Sequence, residues 1–141
     1  LNQFKRLNNF KKNRSLNKKK IIKKIQGDKR WNNQFSFINF SKKINPSYMN
    51  LPILVNKKYK KNKKKFLKFI EKKGLETRPI ISGSFVNQPA TKLYNLNPKK
   101  LKFNGAQEVE DLGFVIGLYT TKIKDTHVKN LVDILYSIDK F

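Results

Sequence analysis

The sequence of 141 residues has no cysteine, a single histidine (His127) and only nine acidic residues. Without cysteine the chain can form neither disulfides nor cysteine metal sites. One histidine within the last predicted helix and a few scattered carboxylates do not form a metal site or an acid–base pair. Neither a G-x-G-x-x-G motif nor a P-loop occurs. We therefore expect no metal site and no complete set of catalytic residues in this chain.

Long apolar runs are missing as well. No stretch approaches the roughly 20 apolar residues that span a membrane, and no apolar segment of a secretory signal follows the basic N-terminus. We therefore expect no membrane insertion and a cytoplasmic location. The length suits one compact domain, and a first residue other than Met, Leu1, indicates a fragment or a processed chain.

Positive charge is present in large excess. Lysine and arginine number 33 against nine acidic residues, a formal net charge of +24, and such a balance favours polyanion partners. Only four of these residues are arginine, and Lys, Asn and Ile, which have A/T-rich codons, are all frequent. Lysine lacks the planar fork that suits phosphate and base recognition. We therefore predict weak, salt-dependent polyanion binding and no specific nucleic-acid partner, with a basic RNA-binding module as the alternative.

The spacing of apolar residues predicts a long helix over residues 1–26. Phe4 and Leu7 begin a stripe that Ile21 and Ile25 continue after a polar interval, and Gly27 ends the pattern. This interpretation divides the chain into a connecting helix, 1–26, and a small C-terminal domain, 27–141. The helix is expected to dock on a part of the protein outside this chain.

An aromatic group follows the helix: Trp31, Phe35, Phe37 and Phe40. The alternation around Ser36 is typical of a strand, and large aromatic residues indicate core or interface more often than a base-stacking platform. A second strand is predicted over 48–55, where Pro52 indicates an edge or a bulge. Residues 57–73 read as a helix with an apolar face and a solvated lysine face.

The C-terminal half alternates between short elements. Residues 76–81 read as a strand that ends in the polar loop Ser82–Gly83–Ser84, and a short helix follows at 89–94. An acidic helix over 106–112, a buried strand from Gly113 and a final amphipathic helix complete the chain. The order predicts an α+β fold, with about three strands and helices packed on one face.

Three segments carry a family resemblance. T-R-P-I-I-S-G-S-F-V-N-Q-P (77–89), G-F-V-I-G-L (113–118) and the helix over 128–134 resemble the C-terminal small domain of DegT/DnrJ/StrS nucleotide-sugar aminotransferases. With the strand at 48–55, the match covers roughly residues 46–138. The sequence departs from the family at Ser84, where Asn is usual, and at Tyr119, where His is common.

The resemblance implies the α+β small domain of a fold-type-I enzyme that depends on pyridoxal 5′-phosphate (PLP). It implies a C-terminal fragment of an aminotransferase acting on a nucleotide-linked keto-sugar, in amino-sugar or surface-polysaccharide synthesis. The alternative within the family is a 3-dehydrase that uses pyridoxamine phosphate. The expected partners are an upstream large domain that binds most of the PLP, a second copy in a homodimer, a nucleotide sugar and an amino-acid donor. The fragment alone would be inactive.

The resemblance also implies that the loop after the third strand forms part of a substrate cleft. Arg78 would bind a carboxylate or phosphate through two hydrogen bonds. Ser82, Gly83 and Ser84 would offer backbone N–H groups, and Gln88 a side-chain amide. No residue of the fragment is assigned to catalysis. Two alternatives stand beside these roles: an ordinary loop with Arg78 in a salt bridge to Glu76 or Glu110, and a non-catalytic remnant that packs on a partner chain.

Overall fold

Four antiparallel strands form one sheet in this computed structural model, which describes residues 2–38, 43–44, 46–81, 83–94 and 103–141. The strands are β1 (Phe35–Phe37), β2 (Asn50–Val55), β3 (Thr77–Arg78) and β4 (Gly113–Gly117), in the spatial order β1-β2-β4-β3. The predicted α+β class is therefore confirmed. The sheet has one strand more than the predicted count of about three. The additional strand is β1, and the alternation of Phe35 and Phe37 had already indicated a strand there.

The described residues include six α-helices. They are α1 (Asn2–Lys5), α2 (Leu7–Gln26), α3 (Lys63–Lys72), α4 (Ala90–Leu93), α5 (Asn104–Leu112) and α6 (Asp125–Leu135). The predicted helix over 57–73 begins as a 3-10 helix, Lys57–Asn62, and the side chain of Asn56 caps its start by accepting a hydrogen bond from the Lys58 N–H. None of the described helices is both long and apolar enough to cross a membrane.

One face of the sheet carries the core. The buried side chains Leu51 and Ile53 of β2 lie opposite Ile116 and Phe114 of β4, since side chains two residues apart share a face. Helices α2, α3 and α6 contribute the remaining large core residues, among them Ile21, Ile25, Phe66, Ile70, Val128, Val132 and Leu135. The ring of Phe66 packs 6.4 Å from that of Phe35 and 6.2 Å from that of Phe114. The prediction that helices pack on one face is therefore confirmed for these three.

Pro52 occupies an inner strand, which corrects the prediction of an edge or a bulge. β2 lies between β1 and β4, and Pro52 pairs with Val115 of β4. β1 ends at Phe37, opposite Ile53, so among the described residues β4 is the one strand that pairs at Pro52. A residue without a backbone N–H is tolerated where one side lacks a ladder partner, and this local gap allows Pro52 within an inner strand.

Two asparagines on α2 anchor the segment that follows β4. The Asn13 side-chain amide donates to the Thr120 carbonyl at 2.7 Å, and that of Asn17 donates to the Thr121 carbonyl at 2.7 Å. The Ile123 N–H in turn donates to Asn17 Oδ1 at 3.0 Å. Both asparagines are buried, so the middle of α2 is joined to the domain through hydrogen bonds to backbone groups.

An ion-pair cluster fixes the turn after α2 against α6. The Arg30 guanidinium donates twice to Asp28, at 2.8 Å each, and once to Asp133 at 2.7 Å, and it lies over the Tyr136 ring at 4.4 Å. Hydrogen bonds from Arg30 hold the pKa of Asp28 well below its usual range. Trp31 packs against the core and Phe35 is buried, which confirms the core interpretation of these aromatics; Phe40 lies outside the described residues.

Candidate functional site

A cleft of about 390 Å³ lies beside the edge strand β3. One wall is α3, another is the C-terminal end of α5, and the segment after β3 forms the third. Three of the predicted site residues, Arg78, Gly83 and Gln88, line it. Ser84, in the same loop as Gly83, is buried and does not line the cleft. Ser82 lies outside the described residues.

Arg78 pairs with Glu76 at the mouth of this cleft. Its Nε and Nη2 donate to Glu76 Oε1 at 3.0 and 2.6 Å, and the two side chains are 74% and 75% exposed. An exposed pair of this kind is screened by solvent and contributes about 0–1 kcal/mol to stability. Within the described part of the chain, Nη1 donates no hydrogen bond, so one end of the guanidinium faces solvent.

Glu110 of α5 organises the loop that follows β3. Its Oε2 accepts hydrogen bonds from the Ser84 N–H at 2.8 Å and from Asn87 Nδ2 at 3.0 Å. Gly83 has φ +48°, and a Cβ there would lie 3.0–3.1 Å from the Glu110 side chain. The Gly83 N–H donates to the Ile80 carbonyl at 3.2 Å. The N–H groups of Gly83 and Ser84 thus bond within the domain here, and their contact with a substrate stays a prediction.

Gln88 lines the cleft where the loop turns into α4. Its carbonyl accepts hydrogen bonds from the Thr91 N–H at 3.1 Å and from the Thr91 hydroxyl at 2.8 Å. Thr91 is buried, with 2% of its surface exposed. These bonds fix the backbone of Gln88 at the cleft.

Lys63, which the sequence interpretation assigned to a solvated lysine face, is part of the cleft wall. Its Nζ donates to the Glu110 carbonyl at 2.9 Å and to the Gly113 carbonyl at 2.8 Å, at the C-terminal end of α5. Burial lowers the pKa of Lys63, and the nearby carboxylates Asp111 and Glu110 oppose that effect. The missed signal is spacing: Lys63 precedes the buried Phe66 and Ile70 by three and seven positions, on the same helix face.

The carboxylates around the cleft serve as hydrogen-bond acceptors. The Thr77 hydroxyl donates to Glu71 Oε1, and Glu110 holds the loop. Two cations, Lys63 and Arg78, and two carboxylates, Glu71 and Glu110, line the cleft, so it offers hydrogen-bond donors as well as acceptors. In the described ranges no three potential ligand residues are grouped for a metal ion, and His127 is exposed on α6.

Comparisons with known proteins add a fold relationship. No protein-family model and no curated protein matches the sequence. Among solved structures, the chain resembles E. coli GDP-4-keto-6-deoxy-D-mannose-3-dehydratase with bound hydrated PLP, with a TM-score of 0.73 and 18% identity. It also resembles a point mutant of GDP-4-keto-6-deoxymannose-3-dehydratase with bound GDP-perosamine, with a TM-score of 0.74 and 18% identity.

Each match covers 95% of this chain and 33% of the dehydratase chain. The chain thus spans about a third of the length of these enzymes and shares the fold of that part. At 18% identity the similarity shows a shared fold. It does not assign the activity of the whole enzymes to this chain.

The lining of the cleft beside β3 does not fit a PLP site by itself. Such a site supplies a lysine for the Schiff base and an acidic or arginine partner for the pyridine nitrogen. Lys63 is the lysine that lines the cleft, and its Nζ is bound to two backbone carbonyls. The cleft lining contains no aromatic side chain and no histidine.

Proposed function

We propose that this chain is the small C-terminal domain of a PLP-dependent enzyme that modifies a nucleotide-linked sugar. The observation that carries the proposal is the shared fold over 95% of the chain with about a third of two sugar dehydratase structures. One of those proteins has PLP bound and the other a GDP-linked sugar. The T-R-P…Q-P segment supports it independently, because that segment borders the cleft beside β3.

In this proposal the domain binds and positions substrate. Arg78 presents a guanidinium for a carboxylate or phosphate at the mouth of the cleft, and Gln88 a side-chain amide. Lys63 holds the end of α5 and adds positive charge to the wall. When bound by the large domain, PLP supplies an electron sink for chemistry at the keto-sugar.

Two reactions are candidates for the whole enzyme. The names of both solved structures favour 3-dehydration, whereas the T-R-P segment resembles both the aminotransferases and the 3-dehydrase branch of the same family. Both need a keto-sugar linked to a nucleotide. They differ in the product, since dehydration removes water from the sugar and amino transfer replaces the keto oxygen with an amino group.

The test uses the complete protein encoded by the whole reading frame around this chain. The purified protein is incubated with GDP-4-keto-6-deoxymannose, PLP and an amino-acid donor, and the products are identified by mass spectrometry. A dehydrated sugar supports the dehydratase and an amino sugar the aminotransferase. A complete protein that binds no PLP and converts no nucleotide sugar contradicts the proposal. Tight, sequence-selective RNA binding at physiological salt would instead support the RNA-binding alternative.

A further inference from the structure

One carboxylate oxygen bridges the two ends of the turn that precedes Gln88. This turn is the 3-10 helix Phe85–Asn87, and it is closed by a hydrogen bond from the Asn87 N–H to the Ser84 carbonyl at 3.0 Å. Glu110 Oε2 accepts from the Ser84 N–H at the start of the turn, at 2.8 Å, and from Asn87 Nδ2 at its end, at 3.0 Å. The carboxylate therefore holds the turn at both ends, and Gln88 follows the turn directly.

The position of Glu110 does not favour its own helix. Glu110 lies in the last turn of α5, where the free carbonyl groups of a helix disfavour negative charge. Lys63 counters this effect, because its Nζ donates to the Glu110 carbonyl at 2.9 Å. Gln107, three positions earlier on the same face of α5, accepts from the Asn87 side-chain amide at 2.8 Å. Two residues of α5 thus contact the turn, and Glu110 is the one that carries a charge.

Apolar packing contributes little to the conformation of this turn. None of the residues Phe85–Asn87 is buried, and Phe85 is 57% exposed. Ser84 is buried, yet its hydroxyl has no hydrogen-bond partner among the described residues. A buried polar group without a partner destabilises the conformation that buries it. The hydrogen bonds to Glu110 offset this effect, so the turn depends on the carboxylate.

We propose that Glu110 is a positioning residue, whose carboxylate fixes the turn so that Gln88 stays at the cleft beside β3 and binds substrate there. The inference rests on the proposed function, because the substrate is the nucleotide-linked sugar of that proposal. Glu110 itself lines the cleft, whereas Asn87 does not. This difference separates positioning from direct contact, since loss of the Asn87 side chain acts on a bound substrate only through the turn.

The test uses the complete protein encoded by the whole reading frame and measures KM and kcat for GDP-4-keto-6-deoxymannose. The variants are Glu110→Ala, Glu110→Gln, Asn87→Ala and the double variant with both alanines. Glu108→Ala is the matched control, because Glu108 lies on α5, pairs with Lys57 at 3.4 Å and does not line this cleft. Amide hydrogen exchange of the peptide that contains residues 83–88 reports on the turn independently of activity.

We expect Glu110→Ala and Asn87→Ala each to raise KM about fivefold or more, with kcat within about threefold, and to speed exchange at 83–88. The double variant should exceed the larger single effect by no more than about twofold, because both side chains act through one turn. Glu110→Gln keeps an oxygen acceptor and should restore KM to within about threefold, and Glu108→Ala should change neither quantity. A purely structural role would instead lower the folded fraction, and with it the apparent kcat, at an unchanged KM.

A raised KM in Glu110→Ala with a parental KM in Asn87→Ala would show direct contact between carboxylate and substrate, and would overturn the proposal. Unchanged exchange at 83–88 in Glu110→Ala, faster exchange without a rise in KM, or equal effects in Glu108→Ala would overturn it as well. All of these outcomes leave the proposed function standing. A parent protein that converts no nucleotide sugar contradicts the proposed function itself, and the positioning role with it.

Discussion

Arg78 forms an ion pair with Glu76, and one end of its guanidinium faces solvent. A conservative substitution distinguishes a structural role of Arg78 from a role in substrate binding. In the complete enzyme, Arg78→Lys keeps the charge and removes the planar fork. We expect kcat/KM to fall at least tenfold, about 1.4 kcal/mol of transition-state stabilisation. The exposed pair with Glu76 contributes little, so the free energy of unfolding should change by less than about 1 kcal/mol. Steady-state kinetics and urea unfolding measure the two quantities.

Glu76→Gln is the matched control for this substitution. It breaks the same ion pair and leaves the guanidinium in place, so kcat/KM should stay within about twofold of the parent enzyme. If Arg78→Lys lowers stability but not activity per folded molecule, Arg78 is a structural residue and its substrate role is wrong.

Gly83 is the residue of the loop with the strictest backbone requirement. Alanine at this position would hold φ at +48° and bring its Cβ to 3.0 Å from Glu110. We expect Gly83→Ala to destabilise the fold by about 1–3 kcal/mol, the range for strained backbone positions. Gly105→Ala is the control, because Gly105 lies in α5 with no atom within 4 Å of an added Cβ. It should stabilise the fold by up to about 1 kcal/mol, and equal effects of the two substitutions would refute the argument.

At the scale of elements, α2 is joined to the segment after β4 by Asn17. The Asn17 side chain donates to the Tyr119 and Thr121 carbonyls and accepts from the Ile123 N–H. Since each hydrogen bond contributes about 0.5–1.5 kcal/mol, Asn17→Ala should cost about 2–4 kcal/mol. Chemical unfolding measures this, with the exposed Asn9→Ala as a control expected to stay within about 0.5 kcal/mol. A loss below 1 kcal/mol for Asn17→Ala would mean that α2 is held mainly by apolar contacts.

The turn after α2 makes the stability of the protein sensitive to acid. Arg30 lowers the pKa of Asp28 in the folded state. Ionised Asp28 therefore stabilises the fold at pH values above the pKa that Asp28 has in the unfolded chain, about 4, and this stabilisation is lost as the pH falls below that value. We expect stability to drop between pH 6 and pH 3, and to drop less in Asp28→Asn. Arg30→Gln should flatten the dependence in the same way. Urea unfolding at both pH values checks this, and parallel curves for all three proteins would contradict it.

The pattern of apolar residues predicted some elements well and others only in part. The final amphipathic helix was predicted, and its stripe of Val128, Leu131 and Leu135 is buried, because period and burial agree along the helix. For the N-terminal helix, the spacing of apolar residues predicted the buried Ile21 correctly but failed for the residues before it. Phe4, at the start of the predicted stripe, is 75% exposed, and the buried residues there are polar ones that hydrogen-bond to distant backbone, which periodicity cannot reveal.

The candidate site was predictable only through its local motif. Arg78, Gly83 and Gln88 were singled out by the T-R-P…Q-P segment and do line one cleft. Lys63 and Glu110 come from α3 and α5, and only the tertiary fold brings them to it. Their contribution depends on contacts between residues 47 and 26 positions apart, which no local pattern encodes.

At the scale of the whole molecule, the chain is predicted to lack the covalent PLP site of a complete enzyme. The 141-residue protein is mixed with PLP, reduced with borohydride and digested, and the labelled peptides are identified. We expect labelling scattered over many of its lysines, because none lies in a Schiff-base motif. Stoichiometric labelling of one lysine would contradict this, and Lys63→Gln would show whether the cleft lysine were that residue.

The position of β4 in the sheet also has a consequence for how the chain folds. β4 forms a ladder with β2 and with β3, yet it follows both in the sequence, with Asn50 paired to Gly117 and Thr77 to Ile116. During synthesis, β3 therefore has no partner strand, and β2 pairs only with β1, until residues 113–117 have left the ribosome. Loop closure over such distances slows folding and exposes strand edges meanwhile. The α2 contacts near Thr120 form in the same late step, so these hydrogen bonds of α2 await a segment more than 100 residues downstream.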